Sequence, residues 1–357
     1  MISITIVAIT FFSTFLLLLV LIPLAPAWKL VDHPGGRKDH VGSTPVVGGL
    51  AITLVFVAAL LFLQTNAWLV AGLAIVTLLA LGVIDDIQDL APGSKLLVQA
   101  CVVLLMYYLA DIRLTTVGNL FGNGSIGTWV FAPVVTVFAV IGVINAINMA
   151  DGVDGHAGFI SLIAFSAYAY VARESALWEQ YKLLLALVGS VGAFLVLNAR
   201  APWRAHAKTF LGDAGSMVLG FIIAWFAVDL TQGNGRTFSP ICALWVVVIP
   251  LCDCVSLMIR RRLSGGRMFA ADRQHLHHYL LARGLSVGQA TMASAAANLA
   301  CATIALAGWK MHIPEVVMFA GFVSLFIAYH LHMSRVFRVS PACKPVAERS
   351  AAEITLR

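Results

Sequence analysis

Apolar runs long enough to cross a bilayer recur along the whole chain, separated by short polar stretches. A membrane-spanning helix needs about 20 predominantly apolar residues. The pattern predicts eleven helices, over 3–25, 45–63, 68–84, 96–110, 128–147, 157–173, 182–198, 214–229, 240–259, 290–309 and 315–334. Their connections are short, with one exception at 260–289, and no repeat of fixed period interrupts them. The expected fold is all-α, a single polytopic integral membrane domain over 1–335 followed by a polar tail over 336–357. Its chemistry is expected in the loops 26–44, 85–95, 148–156, 199–213 and 260–289.

Composition agrees with that pattern. Of 357 residues, 60% are hydrophobic and 11% charged, where a soluble domain carries about 25% charged residues. The net charge of +6 does not mark a nucleic-acid binder, because the basic residues sit in short loops between apolar spans. Those loops orient the chain. Alternate loops and the C-terminal tail hold 18 of the 23 Lys and Arg, which puts them on the cytoplasmic side, the N-terminus outside and the C-terminus inside. No basic residue precedes Lys29, so the first apolar run reads as an uncleaved helix rather than a signal peptide. The six cysteines show no framework spacing and read as small apolar residues within the spans.

The acids and a histidine cluster lie on the same side as the basic loops: Asp85, Asp86, Asp89, Asp151, Asp154, Asp213, Asp272, His275, His277 and His278. A transporter would place ionisable groups near mid-span. Here the spans are nearly free of charge apart from Asp253. One charged membrane face suits a water-soluble anionic donor and a lipid-held acceptor.

Four segments carry the candidate chemistry. GVIDDIQDLAPGSK ends the third span with adjacent carboxylates, Asp85 and Asp86, which repel unless a cation offsets them; Lys95 lies just beyond. NAINMADGVDGHAG ends the fifth span, and a continuing helix would set Asn148 and Asp151 on one face, with Asp154 a turn further. Three oxygen-bearing side chains at that spacing suit a hard cation or the polar edge of a nucleotide base, and Gly152, Gly155 and Gly158 would let a ligand approach the backbone. KTFLGDAGSMVLG opens the eighth span, where Asp213 is placed to cap the helix and Gly212 and Gly215 leave room for phosphate. DRQHLHHYL holds His275 and His278 one turn apart. With Arg260, Arg261, Arg262, Arg267 and Arg273 these imidazoles make a pyrophosphate-binding wall more simply than a zinc site, which wants three ligands and a second shell. Arg37 and Lys38 face the same surface from the first loop.

The order DDIQD, NAINMADGVDG, FLGDAGS and DRQHLHH, over about residues 29 to 290, resembles that of the polyprenyl-phosphate N-acetylhexosamine-1-phosphate transferases. The resemblance implies a transfer of N-acetylhexosamine-1-phosphate from a UDP-sugar to undecaprenyl phosphate, with UMP released. Asp85 and Asp86 resemble the paired catalytic aspartates at the acceptor phosphate. Asp213, helped by Asn148, resembles the ligand of Mg²⁺, for which Mn²⁺ is an alternative. Asp151, Asp154 and Asn145 resemble the lining of the uridine pocket. Lys38, Lys95, Arg273, His275, His277 and His278 resemble the phosphate and sugar contacts. The run HLHH, preceded by DRQ rather than written as three consecutive histidines, is similar to the branch that uses UDP-GlcNAc to start O-antigen or related envelope glycans, with another UDP-N-acetyl sugar, such as a fucosamine or quinovosamine relative, as the alternative donor. Expected partners are the UDP-sugar, undecaprenyl phosphate, the bilayer of the bacterial inner membrane and a second copy in a homodimer, with no nucleic acid. The paired aspartates leave two routes open, direct attack by the lipid phosphate or a covalent aspartyl intermediate.

Overall fold

The computed structural model describes residues 2–32, 43–62, 66–201, 204–233, 238–265 and 274–339. In hydrocarbon every backbone N–H and C=O must find a partner within the chain, and uninterrupted apolar sequence satisfies this as helix. Thirteen α-helices result among the described residues: α1 (Ile2–Leu24), α2 (Gly48–Leu61), α3 (Asn66–Gln88), α4 (Pro92–Leu109), α5 (Ala132–Ala150), α6 (His156–Glu174), α7 (Trp178–Asn198), α8 (Gly212–Asp229), α9 (Pro240–Val246), α10 (Val248–Leu263), α11 (Leu276–Ala282), α12 (Val287–Lys310) and α13 (Glu315–Val339). Prolines open α4 and α9, at the position where a missing N–H costs nothing.

Each of the eleven expected segments carries a helix. Among the described residues eight are long and apolar enough to cross a membrane, and α9 with α10 forms a further, broken candidate. The chain is an all-α polytopic membrane protein. Its outward faces carry large apolar side chains such as Phe138 (81% exposed), as a lipid-facing surface does. Two departures matter for the site. The segment read as one helix over 240–259 bends by 84° at Val247. The long loop after it contains a two-turn helix, α11, carrying the histidines.

Helix α8 is the buried axis, packed by α2, α3, α5 and α6. Its first turn is gripped by glycines. A Cβ on Gly49 would overlap Gly215, and a Cβ on Gly82 would overlap Ala214, so α2 and α3 press backbone to backbone on the start of α8. A short antiparallel ribbon, β1 (Val31–Asp32) with β2 (Thr44–Pro45), leads into α2. Pro45 O accepts the Phe210 N–H, while Phe210 O and Leu211 O accept from Gly48 and Gly49. The loop between α1 and α2 is thereby sewn to the approach to α8.

Candidate active site

The ends of α3 and α5 and the starts of α4 and α8 meet at one end of the bundle, and this is where the acids gather. Asp85 closes α3 with a side chain only 1% exposed. Lys95, from the first turn of α4, donates to its Oδ2 at 2.7 Å, and the Leu90 N–H donates to Oδ1 at 2.8 Å. The two adjacent aspartates thus turn to different partners.

Asp86 turns to α8. Its Oδ1 accepts the Asp213 N–H at 2.8 Å and its Oδ2 the Ala214 N–H at 3.3 Å. The first N–H groups of a helix have no partner within it and carry partial positive charge, so a carboxylate there is doubly favoured. The expectation that Asp213 caps α8 is corrected. Asp213 is the second residue of the helix, and the cap is supplied in trans by Asp86. Gly212 is likewise not open space for phosphate: at φ 76° it makes the turn into α8, against the Asp86 carboxylate and Val46. Gly215 is closed by Gly49 and Leu211.

Relieved of capping, the Asp213 side chain is 41% exposed. Asn148 donates from Nδ2 to its Oδ1 at 2.7 Å and to Ser216 Oγ at 2.8 Å, which leaves the Asn148 carbonyl oxygen available. Lys95 Nζ stands 4.0 Å from Asp213 Oδ2, so one ammonium spans Asp85 and Asp213. Asn145, a turn before Asn148, donates to Gln99 Oε1 and Ile141 O.

The helical run past Asn148 ends sooner than its spacing suggests. Helix α5 stops at Ala150, Asp151 is its C-cap, and Asp154 lies in the turn beyond. Asp154 accepts from Arg200 Nε at 2.7 Å. No hydrogen bond reaches the Asp151 carboxylate from the described residues. Burial, then the carboxylates of Asp213, Asp86 and Asp154, push its pKa well above the ordinary value. Such mutual repulsion among hard oxygen donors is what a divalent cation removes. No three His, Cys, Asp or Glu side chains form a ready-made cage among the described residues. Mg²⁺ would take one or two carboxylates and complete its shell with water and substrate phosphate, and the Asp213 carboxylate beside the Asn148 carbonyl oxygen is of the kind that would supply the protein's share.

The glycines of this turn make close contacts within the protein. Gly155, at φ 82°, precedes α6; Gly158 meets Leu195 and Phe194; a Cβ on Gly152 would stand 2.5 Å from His277 Nε2. The histidine helix therefore sits directly on the aspartate turn. His275 and His277 stack at 5.3 Å, and His277 and His278 lie 4.2 Å apart. His277 is 2% exposed with neither ring nitrogen hydrogen-bonded. Burial, then the neighbouring His278, His275 and His156, hold its pKa well below the usual histidine value. Arg260 of the expected basic wall donates to Gln274 O at 2.6 Å and to Ser256 Oγ at 3.2 Å, and Arg261 is buried. Lys38 and Arg273, expected as phosphate contacts, lie outside the described residues, as do Arg37, Arg267 and Asp272.

A model of glycosyl transferase family 4 matches residues 67–231, the stretch that contains Asp85, Asp86, Asn148, Asp151, Asp154 and Asp213. The undecaprenyl-phosphate alpha-N-acetylglucosaminyl 1-phosphate transferase of Haemophilus influenzae is 36% identical over 93% of this chain and 94% of its own length. The proteins of the same name from Pasteurella multocida and Yersinia pestis are 36% and 34% identical, over 93% and 90% of this chain and 94% and 88% of theirs. The chain belongs to glycosyl transferase family 4.

In this family 4 chain, two groups beside the site carried no motif. Arg200 follows α7 and reaches Asp154 only through the fold. Asp253 lies in α10 and receives His275 Nδ1 at 2.9 Å, the Leu276 N–H at 3.1 Å and the Tyr329 OH at 2.7 Å. A carboxylate inside an otherwise apolar span was its one sequence signal, since such groups are expensive unless functional or paired.

Proposed function

We propose that the chain transfers N-acetylglucosamine-1-phosphate from UDP-GlcNAc to undecaprenyl phosphate at the cytoplasmic face of the bacterial inner membrane. The observation that carries this reading is the convergence of Asp85–Lys95, Asp86, Asn148–Asp213 and the Asp151–Asp154 turn at one end of a membrane-embedded bundle. The relatives' names supply the substrates, and the charge asymmetry of the loops supplies the side.

The acceptor's polyprenyl tail keeps it in the bilayer, so its phosphate meets the donor at the membrane surface. One of its oxygens forms the new bond to the donor's β-phosphorus as the bond to the UMP oxygen breaks, and UMP leaves with that bond pair. Lys95 offers positive charge between Asp85 and Asp213, where two anions must approach. The Asp151–Asp154 turn and Asn145 receive the nucleotide, with Arg200 holding Asp154 in place. Asp213 and the Asn148 carbonyl oxygen would hold Mg²⁺. Bound there, it supplies charge neutralisation at phosphate oxygens.

Direct attack fits these contacts better than a covalent aspartyl intermediate. Asp85 is sealed by Lys95 and a backbone N–H, and both oxygens of Asp86 accept from α8. Carboxylates engaged in this way are poor nucleophiles, whereas a phosphate monoester is largely a dianion at neutral pH. Purified protein incubated with undecaprenyl phosphate and a panel of radiolabelled UDP-sugars tests the reading. Lipid-linked product and UMP from UDP-GlcNAc are expected. Product only from another donor, or none, overturns it.

A further inference from the structure

Helix α11 begins without a side-chain cap of its own. Its first N–H, that of Leu276, is taken instead by Asp253 Oδ1, from an α10 that starts just after the 84° bend. The same oxygen accepts the Tyr329 OH from α13 at 2.7 Å, while Oδ2 lies 2.9 Å from His275 Nδ1. The side chains of His275 and Asp253 are 9% and 10% exposed. Three donors on one buried carboxylate favour its ionised form. An ionised carboxylate only accepts, so Nδ1 of His275 must carry a proton. In neutral imidazole that leaves Nε2 as a bare lone pair.

Resting on the proposed reaction, we infer that Asp253 is a positioning residue: with Tyr329 it fixes His275 as the Nδ1–H tautomer and fixes α11 against the Asp151–Asp154 turn, presenting Nε2 to the sugar-nucleotide. The contact with the turn runs through His277, which stacks on His275 at an interplanar angle of 6° and lies against Gly152. An oxygen or amide at position 253 would cap Leu276 equally well. Only a carboxylate also dictates the proton on His275.

Asp253→Asn separates these roles. It keeps an acceptor for the Leu276 N–H but turns an amide N–H₂ toward Nδ1, which must then become the acceptor. Histidine-selective ¹⁵N spectra of the full-length protein in detergent micelles, with the His275→Gln spectrum used to assign the His275 signals, read the tautomer without turnover. Nδ1–H is expected in the parent chain and Nε2–H in Asp253→Asn, with kcat lower by about 100-fold, the cost of a misplaced group. Tyr329→Phe keeps the carboxylate and is expected to keep the Nδ1–H tautomer with a smaller loss of kcat. It also serves if Asp253→Asn does not fold: loss of the Nδ1–H signal in Tyr329→Phe, with the protein intact, refutes the arrangement. So does an Nε2–H signal in the parent chain, or an Asp253→Asn variant with unchanged tautomer and kcat. A parent chain that shows the Nδ1–H signal yet makes no lipid-linked product breaks the reaction assignment and leaves the Asp253 geometry standing.

Discussion

Helices α8 and α11 start the same way and are used differently. Each receives its cap from a carboxylate on another helix, Asp86 on α3 for α8 and Asp253 on α10 for α11. At α8 the device frees the helix's own acid, so that Asp213 stands 41% exposed, with Asn148 and Lys95 around it. At α11 the capping carboxylate is sealed and shared with a histidine and a tyrosine. A trans cap thus does two jobs that a local Ser or Asp cannot. It pins two helices together, and it leaves the side chains of the capped turn out of the cap.

The largest effect expected from breaking this comparison falls on activity at α8. Asp213→Asn should lower turnover by about 1,000-fold, yet shift the thermal midpoint little, because Asp86 accepts the backbone N–H of residue 213 and not its side chain. Chelation with EDTA should abolish turnover in the parent chain. A well-folded Asp213→Asn enzyme with near-parent turnover, or full activity in EDTA, would remove Asp213 from the reaction.

Lys95→Met comes next. It strands a carboxylate that is 1% exposed, and breaking such a pair costs about 3 kcal/mol, the low end because Lys95 is itself 23% exposed. Adding Asp85→Asn should restore much of the stability without restoring turnover. Thermal unfolding in detergent distinguishes this from a surface pair, for which both variants would sit within about 1 kcal/mol of the parent.

Asp86→Ala sharpens the contrast with Asp213. Loss of a cap costs about 1–2 kcal/mol, so this variant should lose stability and activity together, where Asp213→Asn loses activity alone. Equal thermal midpoints for Asp86→Ala and the parent would refute the trans cap.

The smallest effect expected is a pH dependence at α11. Burial keeps folded His277 neutral. Below about pH 6.5 the unfolded chain therefore takes up a proton that the folded chain refuses. Stability is full above that pH and falls on acidification, by at most about 1.4 kcal/mol per pH unit, until the lower folded pKa is reached. His277→Gln should flatten the thermal midpoint between pH 7.5 and 5.5. Parallel curves for variant and parent would assign the acid sensitivity to other groups.

The sequence by itself determined the class of molecule, the places of its helical segments and the motifs that gather at one end of the bundle. Those properties are local, since apolar length is read in a single run and the interfacial motifs are continuous strings such as DDIQD and GDAGS. Tertiary structure decided which acid does what. Asp85 and Asp86 are neighbours in sequence, yet one faces Lys95 and the other caps α8. The glycines read as room for phosphate are where α2 and α3 close on α8. The segment 240–259 breaks at Val247, and Asp154 leaves the face of Asn148 because α5 stops at Ala150. Tyr329 and Arg200 carried no sequence signal, and Asp253 only that of a carboxylate in an apolar span, because the partners in these contacts lie 76, 46 and 22 residues away along the chain. Hydrogen bonds and ion pairs act over about 3–4 Å of space. No local pattern carries that distance until the helices have packed.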